Sequence, residues 1–174
     1  MRSSLVLTVI GDDRPGIVEE LSQHVLAADA NWEESWMAQL AGKFAGVLRV
    51  SVDDDRADEL AQRLRALESS GLTIALERSA RRAPADRVFG LELVGQDRPG
   101  IVRDIAHALS SRRVNIEELE SGVVSAPMSG EQLFRARARL RIPPNVSTED
   151  IRGVLEALAQ DLMVDLTFED EQAG

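Results

Sequence analysis

Cysteine is absent from the 174 residues, and so is tyrosine. Without cysteine there is no disulfide framework, no thiolate nucleophile and no cysteine-based zinc site. Two tryptophans and four phenylalanines are the whole aromatic complement, too few for a base-stacking surface. Positive charge is also short: 20 Lys and Arg stand against 30 Asp and Glu, a net charge of −10. That balance argues against a bulk electrostatic grip on nucleic acid or on an anionic membrane. No apolar run approaches about 18 residues, and MRSSLVLTVIGDD is too short in apolar residues for a signal peptide. A cytoplasmic location is the expectation. Apolar residues at 44% and charged residues at 29% describe a globular rather than a disordered chain.

What the chain does contain is one phrase written twice. GDDRPGIVEEL at residues 11–21 returns as GQDRPGIVRDI at 95–105, 84 residues later. The same spacing pairs Leu7 with Leu91, Val9 with Leu93, Leu21 with Ile105, Val25 with Leu109 and Asn31 with Asn115. After each Asn comes an apolar residue and two glutamates, NWEE and NIEE. Repetition on this scale implies two copies of one fold.

Each copy reads as strand, helix, hairpin, helix, strand. LVLTVI (5–10) and VFGLELV (88–94) alternate as strands. Asp-Arg-Pro-Gly is expected to open a helix with proline in its first turn. Ile17, Val18, Leu21 and Val25 follow at helical spacing, as do Ile101, Val102, Ile105 and Leu109. Strands over about 32–41 and 116–125 return through 44–52 and 134–142, the second hairpin being longer by the residues around SAPMSGE. Leu60, Leu64 and Leu67 line one second helix; Ile151, Leu155 and Leu158 line the other, with Ser147 and Thr148 before Asp150 as its N-cap. Residues 72–77 and 163–168 are the last strands. The fold class is therefore α+β: two ferredoxin-like βαββαβ domains, each an antiparallel four-stranded sheet with its helices on one face. The expected domains are 1–78 and 87–170, with a linker at 79–86 and a fraying acidic tail at 171–174.

The repeated turn carries the chemistry. A helix N-terminus offers unpaired amides and partial positive charge, and Gly16 and Gly100, lacking Cβ, let a carboxylate approach them. Asp13 and Asp97 have the sign to hold an ammonium, and Asn31 and Asn115 offer donor and acceptor together. A zwitterionic amino acid fits that set. The alternative is purely local: aspartates that cap helices and asparagines that make turns.

A strand ending in Gly-x-Asp-Arg-Pro-Gly-Ile-Val, then a helix, then Val-Asn-Ile, resembles the ACT domain, a small-molecule sensing module, and the resemblance covers both halves. Two such modules in tandem with no attached enzyme look like the glycine cleavage system transcriptional regulator family. The resemblance implies amino-acid binding at the first strand–helix loop, often across an interface between modules, with glycine or serine as effector. It places ligand positions on Gly11, Asp13 and Asn31, and on Gly95, Asp97 and Asn115; some members have His or Asn where this chain has Gly11 and Asp13. With Gly16, Gly100 and Ile101 at the helix starts, these make up the expected ligand-binding set. The implied partner is a protein such as a transcription activator, gripped by a homodimer with open sheet faces and edges, with no direct nucleic-acid contact. The alternatives are an interaction module without ligand and a regulatory subunit of an amino-acid metabolic enzyme.

Other features read as structural. Arg135, Arg137, Arg139 and Arg141 share one strand face, either as an anionic docking surface or paired with Glu92, Glu118, Glu120 or Asp165 across strands. Ala45, Val47, Arg49 and Ser51, the matching face of the first half, carry less charge and are expected to be covered by another domain or subunit. The linker arginines Arg78, Arg81, Arg82 and Arg87 read as solvated, VDDDR as a helix-start turn, and His24 and His107 as ordinary helix residues. Glu33-Glu34 and Glu117-Glu118 are expected on opposite strand faces. No catalytic set, metal site or cofactor site is expected.

Overall fold

The computed structural model describes residues 2–79, 87–126 and 130–171. The chain divides into two compact units, Met1–Arg82 and Ala83–Gly174. In the first, β1 (Arg2–Asp12), α1 (Ile17–Ala27), β2 (Asn31–Leu40), β3 (Lys43–Asp53), α2 (Ala57–Ala66) and β4 (Leu72–Arg78) follow in order. The second repeats them as β5 (Arg87–Gln96), α3 (Ile101–Ser110), β6 (Asn115–Ser125), β7 (Gln132–Ile142), α4 (Thr148–Leu162) and β8 (Val164–Asp170). Each set of strands forms one antiparallel sheet, ordered β2-β3-β1-β4 and β6-β7-β5-β8.

Alternation along β1 sends Leu5, Leu7 and Val9 into the core and leaves Thr8 and Ile10 outside. Helical spacing does the same for Ile17, Leu21 and Val25 on α1 and for Leu60 and Leu64 on α2. Leu7, Leu21, Leu48, Leu60 and Leu64 have no exposed surface, and burial of each is worth about 1.5–3 kcal/mol. The second core is built from Leu93, Ile101, Ile105, Leu109, Leu140 and Leu155 in the corresponding places. There Phe89 stacks on Phe168 with ring centroids 4.9 Å apart, and the Arg152 guanidinium lies 5.2 Å from the centre of Phe168. The Ser147 hydroxyl caps α4, accepting from the Asp150 amide at 3.2 Å.

One expectation is corrected here. Pro15 and Pro99 precede their helices instead of sitting in the first turn. Gly16 and Gly100 follow them as N-cap residues, with φ of 94° and 99°. That left-handed backbone is the reason for glycine, since a side chain there costs about 1–2 kcal/mol. The acidic C-terminal stretch is structured through Glu171, whose amide donates to the Val88 carbonyl at 3.0 Å. Within the expected linker, Ser79 still donates to Ser4 at 2.9 Å. The rest of that linker (80–86), the middle of SAPMSGE (127–129) and residues 172–174 lie outside the described residues.

Candidate functional site

In both units the first strand ends at the repeated turn and the helix departs from it. The Asp13 amide donates to the Gly42 carbonyl at 2.9 Å, and the Asp97 amide to the Gln132 carbonyl at 3.2 Å. Each turn is thus pinned to the tip of the neighbouring hairpin. Both aspartate side chains are exposed, and among the described residues neither carboxylate makes a hydrogen bond or ion pair. The capping role is therefore not filled by Asp13 or Asp97, and no side chain caps α1 or α3 at its start. Space above Gly16 is open: a Cβ built there meets nothing within 4 Å.

Gly11 and Gly95 have a packing reason of their own. A Cβ on Gly11 would lie 2.7 Å from Leu72 Cδ2 and 2.9 Å from the Gly71 carbonyl oxygen; one on Gly95 would lie 2.3 Å from Val164 Cγ1. These glycines let the last strand close on the first. Ile101 is buried in the second core, so only its backbone can face a ligand.

Asn31 and Asn115 stand apart from the turns of their own units. Asn31 lies opposite Ser51, and Ser51 opposite Ser4, seven residues along β1 from Gly11. Asn115 reaches Val88 through Arg141, again seven residues from Gly95. Seven strand residues span about 24 Å. Topology explains it: the helix returns the chain to the far end of the sheet before the next strand begins. A ligand touching both kinds of residue would need the Asn from another copy of the module.

The two turns differ in their surroundings. In the first, Arg14 makes a two-pronged bond to Glu20, at 2.7 and 2.8 Å, and Lys43 pairs with Asp12. These hydrogen bonds hold the Glu20 and Asp12 carboxyls below their ordinary range, so what they add to stability is present above about pH 4.5 and fades as pH falls. In the second, Arg98 donates to the Asp161 carbonyl at 3.3 Å and Arg103 pairs with Asp104 at 2.7 Å. A shallow cleft of about 390 Å³ lies at the Gly95 end of β5, walled by Val94, Gly95, Leu133, Gln160, Met163 and Asp165, with none of the turn residues 97–100 on its wall. Met163 was not anticipated from sequence; it is 73% exposed and left-handed at φ 52°, where the first unit has Gly71.

The arginine row is largely paired. Arg137 meets Glu92 at 2.8 Å, and Arg139 meets Glu118 at 3.1 Å and Glu171 at 3.2 Å. Arg141 pairs with Glu117. The Glu118 hydrogen bond raises the Arg139 pKa. Arg135 alone of the four has no ion pair among the described residues. This cross-strand pairing corrects the placement of the adjacent glutamates. A register shift between Trp32 and Glu34, and another between Ile116 and Glu118, marks a bulge in each edge strand. The bulge brings neighbours to one side: Arg49 holds Glu33 at 3.0 Å and Glu34 at 2.8 Å. On the corresponding face of the first unit, Ile10, Trp36 and Val47 are exposed, while Ser51 is buried.

Among the described residues, no group of three or more His, Asp or Glu could hold a metal ion, and no helix is long and apolar enough to cross a membrane. Residues 3–77 match the family model for the ACT domain. The glycine cleavage system transcriptional repressor of Escherichia coli (strain K12) is 25% identical over 98% of this chain and 95% of its own length, and that of Shigella flexneri matches equally. A crystal structure of an unknown protein from Galdieria sulphuraria has a TM-score of 0.86 at 32% identity, covering 99% of this chain and all of that one. A crystal structure of a candidate glycine cleavage system transcriptional repressor shares the fold, with a TM-score of 0.71 at 20% identity over 98% of this chain and 99% of that one.

Proposed function

We propose that the chain, whose residues 3–77 match the ACT domain and which is similar along its length to the glycine cleavage system transcriptional repressors, is a tandem ACT-domain regulator that senses an amino acid, glycine or serine, and acts on gene expression through a protein partner. The observation that carries this reading is the duplicated turn, where an unpartnered carboxylate stands beside an uncapped helix start. The ligand carboxylate lies on the backbone amides of Gly100 and Ile101, and its ammonium on Asp97.

The Asn of a complete site comes from a second copy of the chain, which makes binding and dimer formation one linked equilibrium. A ligand present at about 100 times its dissociation constant then stabilises the assembled form by about 2.7 kcal/mol. The partner reads the dimer, not the ligand. Direct DNA contact is disfavoured by the charge of −10. Catalysis is not part of the reading, and the location is cytoplasmic.

Calorimetry on the full chain tests it. Glycine or serine should give saturable heat, lost in Asp97→Ala and retained in Asp13→Ala, and sedimentation should show a dimer in the presence of ligand. Absence of heat with all twenty amino acids would instead make the chain an interaction module whose turns serve only the fold.

A further inference from the structure

The faces of the two sheets that point away from the helices are copies of one surface carrying different residues. Register matches them row by row. Glu77, Val6, Arg49 and Glu34 cross the first sheet as one row, and Glu169, Gly90, Arg139 and Glu118 cross the second in the same place. Both rows keep an arginine bonded to a glutamate. The next row is Thr167, Glu92, Arg137 and Glu120 in the second sheet, with Arg137 on Glu92 at 2.8 Å; in the first it is Ala75, Thr8, Val47 and Trp36. The third, Asp165, Val94, Arg135 and Gly122, becomes Thr73, Ile10, Ala45 and Ala38. These two rows of the first sheet carry no charge, yet Ile10, Trp36 and Val47 are 47%, 51% and 43% exposed. A patch centre stripped of charge around a tryptophan has the composition of an interface core.

The arrangement of large and small residues says what covers it. A two-fold axis parallel to the strands, midway between β1 and β3, lays β2 on the β4 of a second copy and β3 on its β1. The two sets of strands then stay within the roughly 30° of aligned sheet packing. Trp36 comes over the second copy's Ala75, Ile10 over its Ala45 and Val47 over its Thr8, so large side chains meet small ones. At one end Lys43, paired with Asp12 in its own chain, comes over the second copy's Asp12. At the other, Glu34 comes over the second copy's Glu77, with Arg49, bonded to Glu34 at 2.8 Å, beside both. Four strands about 4.8 Å apart, each contributing about seven residues, make a patch of about 19 by 24 Å. Two copies cover about 900 Å², the size of a weak and reversible contact.

We propose that this face of the first sheet joins two copies of the chain in an isologous dimer. The contact needs no amino acid and does not rest on the Asp97 turn.

The test is sedimentation of the full chain without amino acid, from about 1 μM to about 1 mM. Monomer should give way to dimer across that range, equally in Asp97→Ala, and Trp36 should become shielded from acrylamide quenching as dimer forms. The double variant Thr8→Glu/Val47→Arg writes the second unit's own ion pair onto the first and keeps both tryptophans; it should weaken association about tenfold or more. Lys43→Asp and Asp12→Lys should each associate less alone, and an equimolar mixture of the two should recover it, because the two-fold sets position 43 over position 12. A chain that stays monomeric throughout the range, a folded Thr8→Glu/Val47→Arg that associates as before, or a mixture that gains nothing would overturn the proposal.

Discussion

Gly95→Ala is expected to destabilise the second unit by about 2–3 kcal/mol, in the range of a substitution that overfills a packed site. The added carbon would sit 2.3 Å from Val164 Cγ1, 2.8 Å from its Cβ and 3.0 Å from its Cα. Rotating the valine relieves the first contact only; the other two require the strand itself to move. Gly122→Ala is the control, because a Cβ there meets nothing within 4 Å and removing a strand glycine is neutral or favourable by about 0.5–1 kcal/mol. Both can be measured by chemical denaturation without ligand. If Gly95→Ala matches Gly122→Ala, then Gly95 is not held by packing against Val164.

Leu48→Ala should cost about 3 kcal/mol, within the 2–5 kcal/mol typical of deleting a buried leucine. Leu48 has no exposed surface and sits mid-strand between Leu7 and Ser35. The substitution gives the first unit the alanine that the second has at the equivalent position, Ala138. Both tryptophans, Trp32 and Trp36, lie in the first unit, so their fluorescence follows its unfolding directly. A loss under about 1 kcal/mol would show that the first core collapses around the deletion.

The architecture was legible because local signals agree with one another: strand alternation, helical stripes and the duplicated turn all report the same order of elements. The N-cap at Ser147 was readable for the same reason, since capping is settled within four residues. What escaped was set by pairing. A bulge shifts register by one residue, and nothing in NWEE or NIEE announces that both glutamates turn to the arginine side of the sheet, Glu33 and Glu34 to Arg49, Glu117 to Arg141 and Glu118 to Arg139. The separation of Asn31 from Asp13 follows from the strand–helix–strand path, yet the resemblance to a family groups them as one site. Pro15 was misplaced because a proline suits both a first helical turn and the turn before it; the positive φ at Gly16 decides between them.

Amide NMR of the ¹⁵N-labelled chain during a glycine and serine titration addresses the sensing claim most directly. Saturable shifts are predicted at Gly100, Ile101 and Val102, abolished by Asp97→Ala with the remaining spectrum preserved. Amides at both turns that stay unmoved through saturating glycine, serine and the other amino acids would contradict it.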